Sequence, residues 1–383
     1  MKPLLASLCV IVSVGTGFAQ STPWPPHDFA EYYSAARVIA EGGNPYDGER
    51  LLPIQRTVND NPDQREATML WTPPWTLPLY APLGLLPPAA GQVMWAVLQA
   101  AMILLGSVLL WRIYGSGLPK WSWAVFAGVL ITSGPIAWTF GYGQNTGFLV
   151  LGLGGYLYFR ERDRPLLAGL LGALTAIKPH LLVAFALMLL LDARNKPGRR
   201  VILGGLVALC AGSLIATALR PTIFADFRSA LDKPSDGTST NVADWQLPLL
   251  SYHFRWAVDP TEFRPQFLPI AVVAFSYIVV RLAYRRIGTI ADELPRVVLL
   301  SVLAAPYGGW TFDLVVLLVV SLHGFAFALK SKRTAAIVVA AFGHLIILRY
   351  AARIGLLHEG WWLAPAVGVW WMLVTTLSKE KTA

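Results

Sequence analysis

Charge is what this sequence has least of. Asp, Glu, Lys and Arg make up 14% of its 383 residues, against about 25% in ordinary soluble domains. With 55% of the chain hydrophobic, there is too little charge to build a normal water-facing surface, and a soluble globular enzyme is excluded. Cysteine is equally scarce. Cys9 and Cys210 are the two in the chain, each inside an apolar run, which excludes a disulfide framework, a thiolate metal site and thiol redox chemistry. Glycine-rich phosphate loops, zinc-binding His-Glu-x-x-His helices and Gly-x-Ser-x-Gly elbows are all absent, so nucleotide-dependent soluble chemistry has no seat. The net charge of +9 does not point to nucleic acid, because the basic residues fall in short clusters between apolar runs rather than along one face.

What is present is a succession of apolar runs, the pattern of an all-α, polytopic integral membrane protein forming one domain over residues 1–383. Residues 3–20 follow Lys2 and read as an uncleaved first span in preference to a secretory signal. Clusters around Arg112 and Lys120, Arg160 to Arg164, Arg194 to Arg200, Arg281 to Arg286, and Lys330 to Arg333 mark the cytoplasmic side. That leaves two long periplasmic segments, 21–90 and 220–266. Counting every short arm, the chain makes about twelve crossings, some short or re-entrant, with both termini inside. No internal repeat is evident.

Three stretches hold polar groups that need a reason to be there. Residues 27–46 hold an amphipathic helix from Asp28 to the Gly42-Gly43 stop, lying on the membrane surface, with Phe29, Tyr32, Tyr33, Ala36, Ile39 and Ala40 on its apolar face. Asp28 is open to two readings: an N-cap with Glu31 completing a capping-box-like pair, or a carboxylate with a chemical role. Gly42 and Gly43 stop the helix. Downstream, residues 71–88 carry too many prolines among aromatics for a regular helix and form a re-entrant or interfacial wall.

The second stretch is the long run between Arg164 and Arg194, which reads as two short arms meeting at Lys178 and Pro179. Lys178 then lies at the floor of an outward-open cavity, where an ammonium suits an anionic ligand such as a lipid phosphate; snorkelling, or pairing with Asp28 or Asp313, is the other reading. The third is the tip at 306–313, where Asp313 is either a second carboxylate of the cavity or a cap for the helix that follows. His27, His180, His253, His344 and His358 lack metal-ligand spacing, and no metal or other cofactor is expected.

With these residues in place, the chain resembles the GT-C class of membrane glycosyltransferases, and glycosyltransferase family 87 in particular. The likeness rests on Asp28-Phe29 with Tyr32 or Tyr33, Gly43-Asn44-Pro45-Tyr46, Thr72-Pro73-Pro74, Gly143-Gln144-Asn145, Lys178-Pro179, and Ala305-Pro306 with Trp310. The resemblance implies a polyprenyl-phosphate sugar donor, most often mannose, a glycan or glycolipid acceptor, and a site on the outer face of the bacterial inner membrane. It also implies that Asp28 is the general base of an inverting transfer. Lys178, Arg349 and Arg353 are then candidates for the donor phosphate, and Tyr32, Tyr33, Gln144, Asn145, His180, Trp310 and Asp313 for the remaining substrate contacts. Two departures bear on the sugar and the leaving group: Trp71-Thr72 where relatives often have Tyr before the Pro-Pro pair, and Thr311-Phe312-Asp313 where they often have paired histidines. A lipid-linked sugar flippase or transporter, and a non-catalytic envelope assembly factor, are the competing classes.

Overall fold

A computed structural model describes residues 27–232, 250–284, 288–306, 309–351 and 360–379. The first apolar segment, residues 233–249 of the second insertion, Arg353 and His358 lie outside the described residues. All regular structure among the described residues is helical.

Helix α1, His27–Ala40, ends where the sequence places its stop. Gly42 takes the left-handed conformation at φ +75°, which costs glycine little, and the Gly43 N–H donates back to Val38 O at 2.8 Å. Asn44 then accepts the Tyr46 N–H in a tight turn at 3.0 Å, and Asp47 caps α2, Gly48–Val58. The proline-rich stretch is irregular for the expected reason. It breaks into a 3-10 turn at Pro74–Thr76, a single helical turn α3 at Leu77–Tyr80, and a second 3-10 turn at Ala81–Leu85.

α1 is not a surface helix. Phe29, Tyr32, Tyr33, Ala36 and Ile39 are buried, and so are Ala30, Glu31, Ser34, Ala35 and Val38 around the rest of the helix. The cause lies far along the chain. A Cβ on Gly84 would sit 2.2 Å from Ala36 O, so the missing side chain lets the proline-rich stretch pack backbone to backbone against α1. Arg37 donates to Gly84 O at 3.1 Å and Tyr33 to Leu86 O at 2.8 Å across the same contact.

Behind α1 stands α4, Pro88–Tyr114, followed by α5, Ser122–Ile131, α6, Gly134–Tyr142, and α7, Gly147–Arg160. α4 and α7 cross at glycine: a Cβ on Gly154 would lie 2.1 Å from Gly106 O. Small residues at a crossing allow the close van der Waals approach that helices in a bilayer rely on. The rest of the bundle is α8, Pro165–Gly172, α9, Val183–Asp192, α10, Lys196–Leu219, α11, Ile223–Asp232, α12, Leu250–Val258, and α13, Leu268–Tyr284. It closes with α14, Ile290–Ala304, α15, Leu318–Ser331, α16, Thr334–Ala351, and α17, Leu363–Lys379.

Four helical stretches are long and apolar enough to cross a membrane, Pro88–Tyr114, Lys196–Leu219, Arg264–Tyr284 and Asp313–Ser331, and α5 with α6, bent by 45°, makes a fifth if taken as one span. The other apolar helices are shorter. α7, at 14 residues, extends about 21 Å at 1.5 Å per residue, less than the hydrocarbon core of about 30 Å. Apolarity also serves two purposes here. The Asp313–Ser331 stretch is 78% buried inside the protein, whereas Arg264–Tyr284 is 11% buried; the first is apolar for the protein interior and the second for its surroundings.

The run from Pro165 to Asp192 breaks as its sequence suggests. It passes from α8 through a 3-10 turn, Ala173–Ile177, to Lys178, which leaves the helical region at φ −129°, ψ 72°, then through Pro179–Leu181 into α9. The far end of α9 is clamped. Asp192 accepts from Arg281 of α13, whose Nε also lies 3.2 Å from Glu293 Oε1 of α14, and Tyr277 donates to that same oxygen at 2.5 Å. Arg281 is therefore a buried clamp rather than a solvent-facing charge. Arg281→Met, which strands two buried carboxyls, should destabilise the fold by about 3–5 kcal/mol. Thermal unfolding in detergent measures this, and the combined Arg281→Met, Asp192→Asn, Glu293→Gln variant should recover most of the loss. A single variant that melts with the wild type would show that the clamp contributes nothing.

Candidate functional site

Five segments bring polar groups to one place. α1 presents Asp28, Glu31 and Tyr32. The turn between α6 and α7 presents Gln144 and Asn145, and is shaped by Gly143 at φ +68°. The Gln144 N–H donates to Thr139 O at 2.9 Å, and Trp95 of α4 anchors the turn by donating to Gly143 O at 2.7 Å. The break between α8 and α9 supplies Lys178, the 3-10 turn Asp313–Leu317 supplies Asp313, and the backbone at Trp71 closes the remaining side.

Gln144 is the hub. Its Oε1 accepts from Lys178 Nζ at 3.0 Å and from Tyr32 OH at 3.2 Å, and its Nε2 donates to Asp28 Oδ2 at 2.6 Å. Two donors on the oxygen leave the amide one orientation, since Lys has no acceptor to offer. The amide N–H is therefore aimed at Asp28, and the oxygen that receives it is an acceptor. Lys178 also donates to Asp313 Oδ1 at 2.6 Å and lies 5.0 Å from the centroid of the Phe312 ring. Asp313 is fully buried and accepts the Trp310 N–H through its other oxygen at 3.2 Å. It is thus the partner of Lys178 and ties back to the preceding turn; it does not cap the helix that follows, whose N-cap position is Phe312 with no side-chain cap bond, and the pairing reading of Lys178 holds alongside any ligand it binds.

Asn145 donates to Tyr80 OH at 3.0 Å, and Tyr80 stacks on Tyr32 with centroids 5.1 Å apart. Asn145 and Tyr80 therefore brace Tyr32 from behind. Tyr142, Phe312 and Trp310 form an aromatic row next to Lys178, with centroid spacings of 5.4 and 6.5 Å.

Of the residues singled out from sequence, the structure joins Asp28, Tyr32, Gln144, Lys178 and Asp313 in one hydrogen-bonded chain, with Asn145 behind it and Trp310 beside it. Tyr33 points elsewhere, toward Leu86. His180 sits on the turn after Lys178, half buried. Arg349 falls in α16 with its side chain outside the described residues, as is all of Arg353. Among the described residues, no three of His, Cys, Asp and Glu come together to hold a metal ion.

Sequence reading missed Glu31 as a site residue. It is 8% exposed and accepts the Trp71 backbone N–H. Burial first, and the neighbouring Asp28 second, push its carboxyl well above the usual range, against the opposing pull of Lys178 and the Trp71 N–H. The spacing of three from Asp28 was the available signal, and it also fits a capping box.

The arrangement offers an acceptor carboxylate, an ammonium beside it and an aromatic wall. A family model described as glycosyltransferase family 87 matches residues 71–306. The matched stretch includes Gln144 and Lys178 and excludes Asp28 and Asp313. No curated protein and no solved structure matches the chain.

Proposed function

The chain belongs to glycosyltransferase family 87, and from this premise we propose that it moves a sugar, mannose in the first instance, from a polyprenyl-phosphate donor to a hydroxyl of a glycan or glycolipid acceptor. The observation that carries the proposal is the bridge Asp28–Gln144–Lys178, which sets a proton acceptor and an anion-binding cation on either side of one amide. Mannose and the lipid donor come from the family resemblance, the outer-face orientation from the resemblance together with the basic clusters, and the fuller topology of about twelve crossings from counting every short apolar arm as a span.

In the transfer, the acceptor oxygen attacks the anomeric carbon as the bond from that carbon to the phosphate oxygen breaks. The departing electron pair stays with the polyprenyl phosphate, and the acceptor proton passes to Asp28. One displacement inverts the anomeric centre. A carboxylate serves here by position, because the hydroxyl becomes acidic only as the new bond forms. Lys178 faces the charge that develops on the leaving phosphate. Gln144 orients Asp28 and, through its oxygen, holds Lys178 in place.

The purified protein in detergent should transfer labelled mannose from a short-chain polyprenyl phosphomannose to a glycolipid extract, releasing polyprenyl phosphate, and should keep its rate in chelator. Movement of the intact donor across vesicles without release of polyprenyl phosphate would identify a transporter. A rate lost in chelator and restored by a divalent cation would add a metal to the scheme.

A further inference from the structure

Glu31 is a buried carboxyl to which the proposed displacement gives no task. It stands three residues after Asp28, a spacing that places two side chains as neighbours on one helix face with Cβ atoms about 5–6 Å apart. With Asp313, the site holds three carboxyls. The positive group set against Glu31 and Asp313 among the described residues is Lys178. With all three ionised, two negative charges would go unbalanced where an anionic donor has to enter, and buried unpaired charge is generally avoided by neutralising the group. Asp313 is tied to Lys178 at 2.6 Å and Asp28 receives the Gln144 amide at 2.6 Å, whereas Glu31 is held by a backbone N–H. Glu31 is the member of the three to carry a proton.

We propose that Glu31 works as a neutral carboxylic acid whose protonation admits the anionic lipid donor, a positioning residue that sets the charge of the site. This rests on the donor reading above. The charged and titratable groups around Glu31 are Asp28 and Tyr32 on its own helix, Lys178 at the α8–α9 break, Tyr80 on α3, and Asp313 beyond Tyr32. Burial pushes Tyr80 up to about 12 and Tyr32 well above its ordinary value, so both tyrosines carry their protons through the neutral range. Because the Glu31 value is raised in the fold, its contribution to stability is fully present below the unfolded-state value of about 4.3 and is lost as pH rises through the folded one.

The test compares wild type with Glu31→Gln and Glu31→Ala in detergent. Donor KM is measured for a short-chain polyprenyl phosphomannose, a phosphodiester whose single charge is constant, between about pH 6 and about pH 9. Wild-type KM should rise with pH, with kcat little changed, by about tenfold for each pH unit past the titration, because each such unit cuts the competent fraction tenfold. Glu31→Gln and Glu31→Ala, both uncharged at every pH, should show level profiles, with Glu31→Gln, which can still accept the Trp71 N–H, keeping the low KM that the wild type shows at acid pH. Without substrate, the melting temperature of Glu31→Gln should fall less with rising pH than that of the wild type.

A level wild-type profile, a rise that Glu31→Gln retains, or a folded Glu31→Gln protein that transfers nothing would each overturn the proposal. A wild type that transfers nothing from this donor at any pH defeats the donor reading instead. The melting curves then still decide whether Glu31 is protonated: parallel slopes would reject it.

Discussion

Asp28→Asn should reduce transfer by about 10²–10⁴-fold, the range that a positioned general base contributes, with the protein folded and the donor still bound. The geometry argues for separable effects. An asparagine oxygen can still accept the Gln144 N–H that Asp28 accepts at 2.6 Å, so the hub survives. The substitution also removes a negative charge that acts on buried Glu31, so the melting temperature should hold or rise. What is lost is the proton acceptor itself. The measurement is kcat and donor KM for labelled transfer beside a melting curve, and kcat should carry the whole effect. Full activity in a folded Asp28→Asn protein would remove the base assignment and leave Asp28 as part of the helix start.

Lys178→Met carries the second large effect and a complication. Removing one preorganised group that stabilises a developing negative charge costs about 10²–10³-fold in kcat. The same change strands Asp313, which is fully buried, and breaking a buried pair costs about 3–5 kcal/mol of stability. A single variant therefore confounds chemistry with folding. The double variant Lys178→Met, Asp313→Asn separates them, because it removes both charges at once. Its melting temperature should return most of the way to that of the wild type while transfer stays low and donor KM high. Recovery of transfer in the double variant would show that Lys178 serves the fold and not the phosphate.

Several features were legible because their causes are local. Gly42 and Gly43 end α1 through a backbone conformation that glycine adopts readily. The prolines of 71–88 break the helix wherever they stand, and Lys178-Pro179 interrupts an apolar run because the residue before proline is disfavoured in the helical region. Other features depended on partners remote in sequence. The small and aromatic residues of α1 suited a surface helix equally well until Gly84 brought the proline-rich stretch onto it. Glu31 fits a capping box by spacing and is instead held by the amide of Trp71. Arg281 is one of a basic cluster by sequence, and only the fold shows Asp192 and Glu293 closed around it.

The sequence alone determined an all-helical chain of apolar runs and carried the likeness to glycosyltransferase family 87, because composition, apolar run length and short motifs are properties of adjacent residues. Only the tertiary structure decided which apolar helices face the interior, that Gln144 links Asp28 to Lys178, and that a third carboxyl shares their site. Those are matters of burial and charge balance. They depend on which groups from five separate segments are excluded from water together, and no single stretch of chain contains that information.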